Sequence, residues 1–217
     1  MKRIPFSQFA LPVLVVLGTA IAWGGDTSML QPPAGAKVAI VVFEDLECPD
    51  CARAAPLLHD AAKAYNIPLV QHDFPLPQHP WSFEAAVNAR YFDTKLKKIG
   101  DDYRLYIFQN QPYVTKQNLR GYTEKFAEQN KVVMPFVVDS TGDLAAKVKA
   151  DYQLGQRLPV DHTPTIYVVS NSAHGTPFVE VKDRTQLYQL IEQMIKQAGG
   201  APQEHKTASS QKTPHSQ

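Results

Sequence analysis

Val38-Ala39-Ile40-Val41-Val42-Phe43 runs through Glu44-Asp45-Leu46-Glu47 into Cys48-Pro49-Asp50-Cys51. An unbroken apolar, β-branched run fits a strand buried on both faces, as in the middle of an α/β sheet. The Ala- and Leu-rich stretch after the cysteines reads as a helix to about Tyr65, with Pro56 inside it to bend it. Both cysteines therefore stand where a buried strand hands over to a helix. Unpaired N–H groups and the helix dipole favour an anion there, so the Cys48 thiol is expected below the free value of about 8.5. Pro49 suits the first helical position, having no N–H to leave unpaired. Cys51, one turn in, is expected to be deeper and less acidic, within reach of a mixed disulfide on Cys48. That arrangement is suited to thiol–disulfide exchange.

Outward from this stretch the chain alternates. Ile67 to Phe74 reads as a second strand, stopped by Pro75, Pro77 and Pro80. From Ser82, a candidate N-cap, to Gln156 the apolar period is helical, with Phe83, Ala86, Val87 and Tyr91 sharing a face. Tyr91, Phe92, Tyr103, Tyr106 and Phe108 read as core of this block, and Val132 to Val138, interrupted by Pro135, as an irregular connection. Strand character returns at Thr165 to Val169, directly after Thr163-Pro164. A turn over Ser170 to Gly175 leads to Phe178-Val179-Glu180-Val181, and a last amphipathic helix carries Leu187, Leu190, Ile191, Met194 and Ile195. The order predicts one α/β sheet with an inserted all-α subdomain over residues 82–156, inside a domain of residues 38–198. Residues 199–217 lack apolar anchors and read as a disordered tail.

The 217 residues include 22 Lys plus Arg, 21 Asp plus Glu and 2 Cys, for a net charge of +1. Near-neutrality offers no electrostatic case for nucleic acid. Lys2 and Arg3 precede an apolar run from Phe9 to Trp23, and Ala20-Ile21-Ala22 has the small-x-small pattern of a signal-peptidase site. Residues 1–22 are thus read as a cleaved signal peptide and 23–37 as a linker, with an N-terminal membrane anchor as the alternative. Spanning helices want roughly 20 apolar residues, and this run is shorter. The expected location is periplasmic or otherwise extracytoplasmic, where disulfides persist.

Other uses of the cysteines fit less well. A bridge across so short a loop stabilises little. No second C-x-x-C accompanies the pair for zinc, and haem attachment needs His where Ala52 stands. No metal or cofactor is expected. The remaining His, Asp and Glu residues support no functional claim: His59 and Asp60 read as solvated, and a part for His79 in shaping the loop near the site is the lesser of its two readings.

These residues resemble the DsbA-like thiol–disulfide oxidoreductases of the thioredoxin superfamily. The resemblance rests on the strand before Cys48-Pro49-Asp50-Cys51, Asp45, Pro56, His72-Asp73-Phe74-Pro75-Leu76 with His79-Pro80, and Val160 with Thr163-Pro164-Thr165. It implies a thioredoxin-like fold with a helical insertion, Cys48 as nucleophile and Cys51 as resolving thiol. It also implies that Pro164 is a cis-proline lining the substrate groove beside Thr163. The expected activity is an exported oxidase acting on cysteine-containing secreted proteins, monomeric and reoxidised by a quinone-linked membrane thiol oxidase. A periplasmic reductase or isomerase, or a non-catalytic binding or chaperone module with a static disulfide, is the alternative. Three positions depart from the family. Val42 stands where many members carry an acid under the active site, which removes a proton acceptor for Cys51. Asp50 stands where strong oxidases have His, and with Glu44, Asp45 and Glu47 it is expected to raise the Cys48 pKa. His162 precedes Thr163-Pro164 where Gly is common, and is expected either to face the cysteines or to lie exposed in its loop.

Overall fold

The computed structural model describes residues 29–172 and 175–200. The expected signal peptide, the start of the linker and nearly all of the tail lie outside them. The apolar run forms strand β1 (Val38–Glu44), buried along its whole length. It is paired in parallel with β2 (Leu69–Asp73), Ile40 opposite Leu69 and Glu44 opposite Asp73. A parallel pair needs a crossover, and helix α1 (Pro49–Tyr65) supplies it. On the other side β1 pairs antiparallel with β3 (Thr165–Ser170), and β3 with β4 (Phe178–Glu180), for a sheet order β2-β1-β3-β4.

The period-2 alternation of β1 divides the core. Val38, Ile40 and Val42 pack with Ala54, Leu58 and Ala61 of α1 and with Leu187, Ile191 and Met194 of the last helix, α6 (Leu187–Gln197). Ala39, Val41 and Phe43 face the other way, onto Phe74, Leu154 and Leu158. Leu30, within the expected linker, is buried in this second cluster, so the end of the linker is docked on the sheet.

Between β2 and β3 lie four helices: α2 (Ser82–Asp93), α3 (Lys97–Asn110), α4 (Leu119–Gln129) and α5 (Asp143–Arg157). Phe92, Tyr103 and Phe126 interlock at their centre, with Phe92–Tyr103 and Phe92–Phe126 ring centroids 4.7 and 5.0 Å apart. Cys48, Cys51 and Leu46 belong to this same cluster. The insertion is therefore one wall of the cysteine site. Val132 to Val138 forms no regular element, with Val132, Met134 and Val138 turned in and Phe136 exposed. Two local readings are corrected. Ser82 is not the N-cap of α2 but its first residue, because its hydroxyl is spent on Asp45 Oδ1 at 2.5 Å. His59 is half-buried rather than solvated, while Asp60 is exposed.

Candidate active site

Cys48 is the N-cap residue of α1, in extended conformation, and Pro49 opens the helix. Its sulfur lies 3.3 Å from the carbonyl oxygen of Thr163. The Thr163–Pro164 bond that the sequence singles out is cis. The Thr163 hydroxyl is buried and bonds to no oxygen or nitrogen among the described residues.

The electrostatics around Cys48 run against the acidity of its surroundings. Its thiol is lowered to about 5, first by the Cys51 thiol donating to it. Burial opposes this, and Thr163 and the N–H groups of Cys51 and Asp50 add to it. Those N–H groups act on the sulfur without closing a cap bond of normal geometry. Burial pushes the Cys51 thiol well above its ordinary value, and its bond to Cys48 and the Cys48 charge push the same way. Cys51 also accepts from the N–H of Asp45 at 3.4 Å. The two thiols are therefore poised as one thiolate and one thiol.

The expectation that Asp50 raises the Cys48 thiol is overturned. Burial would lift the Asp50 carboxyl itself, but a hydrogen bond from Arg184 and its charge, then Arg53, outweigh that and hold it below the usual carboxylate range. Arg184 Nη2 is 2.8 Å from Asp50 Oδ1 and Nη1 is 3.3 Å from the Asp50 carbonyl. Arg53 Nη2 reaches the same carboxylate oxygen at 3.1 Å. The acid between the cysteines is thus answered by two guanidinium groups.

Val42 does leave its position under the site apolar, yet the acid is not missing from that face. Glu44 lies two residues further along β1, on the same side by the strand alternation. It is buried, accepts from Gln71 Nε2 at 3.1 Å and lies 3.8 Å from Arg104 Nε. Burial raises its carboxyl to about 7 against the pull of Arg104, and its charge is felt at Cys51. Period-2 reading of β1 was the signal that could have found it. For Arg184, 134 residues from Asp50, no local pattern exists.

The segment before Cys48 is stapled to the loop before α2. The buried Asp45 carboxylate accepts from His79 Nδ1 at 2.7 Å, from Ser82 Oγ and from the N–H groups of Glu47 and Leu76, both at 2.7 Å. Glu47 in turn accepts from the N–H groups of Trp81 and Ser82 at 2.8 and 3.1 Å. Gln111, in a short 3-10 turn after α3, donates to the carbonyls of Leu46 and Cys48 at 2.8 and 3.1 Å. His162 does not join the cysteines. Its side chain is 60% exposed and paired with Asp161 at 2.6 Å. It lines, with Asp50, Pro164, Ile166, Lys182 and Arg184, an open cavity of about 540 Å³.

The thioredoxin family model matches residues 26–197. The chain belongs to the thioredoxin family. Among solved structures, the chain is similar to BdbD from Bacillus subtilis, at 20% identity and TM-score 0.62, covering 82% of this chain and 97% of that one. It is also similar to the thiol-disulfide exchange protein alpha-DsbA2 from Wolbachia pipientis, at 14% identity and TM-score 0.58, covering 76% and 85%. These likenesses carry the thioredoxin fold with its helical insertion. A curated relative, the Na(+)/H(+) antiporter NhaA 3 of Salinispora tropica, is 22% identical over 193 residues, 87% of this chain and 29% of that protein. The chain thus spans less than a third of that antiporter. Among the described residues no helix is long and apolar enough to cross a membrane.

Proposed function

We propose that this protein is an exported thiol–disulfide oxidoreductase, and that it works chiefly as a disulfide-forming oxidase on cysteines of secreted proteins. The observation that carries the reading is the asymmetry of the thiols, Cys48 lowered to about 5 and Cys51 raised. A stable thiolate stabilises the reduced form, and a disulfide whose reduced form is stable is a strong oxidant.

The reaction starts from the Cys48–Cys51 disulfide. A substrate thiolate attacks Cys48 Sγ, a substrate–Cys48 bond forms, and Cys51 leaves and takes a proton. A second substrate thiolate attacks the substrate sulfur of that bond and expels Cys48 as its thiolate. Two substrate thiols have lost two electrons and two protons. The enzyme holds the electrons and one proton, on Cys51, and the other proton goes to solvent. The last leaving group is the low-pKa sulfur, which speeds release. The substrate strand lies beside Thr163 and Pro164, and Pro164 lines with Asp50 and Arg184 the open cavity next to the cysteines. The dithiol is then returned to the disulfide by a quinone-linked membrane thiol oxidase.

The test is the equilibrium of the Cys48–Cys51 pair with a glutathione series. A potential near about −120 mV, that of a strong oxidase, supports the reading. One near about −270 mV makes the protein a reductase fed with electrons. N-terminal sequencing of the protein recovered from the cell envelope tests removal of residues 1–22.

A further inference from the structure

We propose that Arg184 is a positioning residue for the exchange reaction: gripping Asp50 at both carboxylate and carbonyl, it cancels the acid placed between the cysteines and so lets Cys48 persist as a thiolate. The inference rests on the exchange activity proposed above.

Asp50 is the second residue of α1, adjacent in sequence to Cys51 and two residues from Cys48. An uncompensated carboxylate there opposes a thiolate at the helix start by like-charge repulsion. Arg184 comes from a short 3-10 turn, Arg184–Gln186, between β4 and α6, so the compensating cation is delivered by an element remote in sequence. Its two contacts do different things. The 2.8 Å bond to Oδ1 neutralises the charge, and the 3.3 Å bond to the carbonyl oxygen ties down the first turn whose N–H groups act on the sulfur. The pair is about one-third exposed on each side, so it adds little to stability. Its leverage comes from its place on the first turn of α1, two residues from Cys48.

The other charged groups around Cys48 do not duplicate it. On α1 itself Arg53 shares the Asp50 carboxylate, but with a side chain 67% exposed and only the mobile hold of an (i,i+3) pair. Before α1, Asp45 is consumed by His79 and Ser82, and Glu47 by the N–H groups of Trp81 and Ser82. Glu44 acts on Cys51. Before β3, Asp161 and His162 pair with each other. Glu180 and Lys182 line the same cavity and form no ion pair among the described residues.

The experiment titrates the thiolate absorbance of the full-length reduced protein and measures its glutathione equilibrium, for Arg184→Ala, Arg184→Lys, Asp50→Asn and the double variant Asp50→Asn/Arg184→Ala. Arg184→Ala is expected to raise the Cys48 midpoint by about one unit and to make the disulfide about tenfold harder to reduce, 29.6 mV. Arg184→Lys recovers most of the shift. The double variant returns the midpoint towards the parent, because the charge that needed cancelling is gone. A merely structural Arg184 would not be rescued by Asp50→Asn. An Arg184→Ala titration identical to the parent overturns the inference, as does a double variant no better than Arg184→Ala alone. Failure of the exchange reading itself shows differently, as a parent protein whose Cys48 titrates like a free cysteine.

Discussion

The backbone N–H of Asp45 donates to the sulfur of Cys51 at 3.4 Å. The carboxylate of the same residue, fully buried, is the acceptor for His79, Ser82, Leu76 and Glu47. One residue therefore touches the Cys51 sulfur through its backbone and anchors the loop before α2 through its carboxylate. Asp45→Ala strands several buried donors at once, and removing one partner of such a buried charged network costs about 3–5 kcal/mol. The reduced variant is expected to unfold at markedly lower urea than the parent, with Cys51 newly open to alkylation. An unchanged urea midpoint would show that the carboxylate is dispensable.

Glu44 supplies a pH dependence of definite sign. Burial raises its carboxyl from an ordinary 4.5 to about 7. Between those values the folded chain keeps a proton that the unfolded chain has lost, so folding stability falls as pH rises from about 4.5 to 7 and stays lowered above. Glu44→Gln keeps an oxygen for Gln71 and removes the penalty. At pH 8 the variant is expected to be more stable by about 3 kcal/mol, and below pH 4.5 the two proteins converge. A stability difference that does not vary with pH would falsify this account.

Much of this was legible in the chain itself, and what escaped did so for identifiable reasons. The run Val38 to Phe43 and the Cys48-Pro49-Asp50-Cys51 motif placed β1 and α1, since both are local signals of burial and helix initiation. Ser82 was misread because capping rules see only neighbours, whereas its partner Asp45 lies 37 residues upstream. The acidity assigned to Asp50 failed for the same reason: a local tally counts Glu44, Asp45, Glu47 and Asp50 and does not see Arg184 arriving from the turn before α6, 134 residues away. Charges are summed in space, and the sequence orders them only along the chain.

His162 makes the complementary case. From its place before Thr163-Pro164 it had two possible orientations, and the structure puts it outward, against Asp161. It is not among the groups that lower Cys48 to about 5. His162→Ala is therefore expected to leave the Cys48 midpoint where it is, to within a few tenths of a unit. A rise of a full unit would mean that the imidazole turns inward in the reduced protein.

Gly155 tests how tightly the insertion is seated on the sheet. It lies near the end of α5, and a Cβ there would stand 2.5 Å from Phe74 Cε2 and 3.2 Å from Phe43 Cδ1. Phe74 has little room to yield, being stacked on Tyr152 at 4.6 Å between centroids and set edge-on to Phe43 at 6.3 Å. Alanine is the better helix former by about 1 kcal/mol, whereas overfilling a packed core costs about 1–3 kcal/mol. With both rings pinned the second effect wins. Gly155→Ala is expected to lower stability by about 1 kcal/mol, read as a fall in the urea midpoint at unchanged slope. Phe43 and Phe74 belong to the sheet face turned away from α1, so the Cys48 titration should not move. A gain in stability would mean that the Phe74 ring swings aside and that α5 is seated more loosely than its contacts imply.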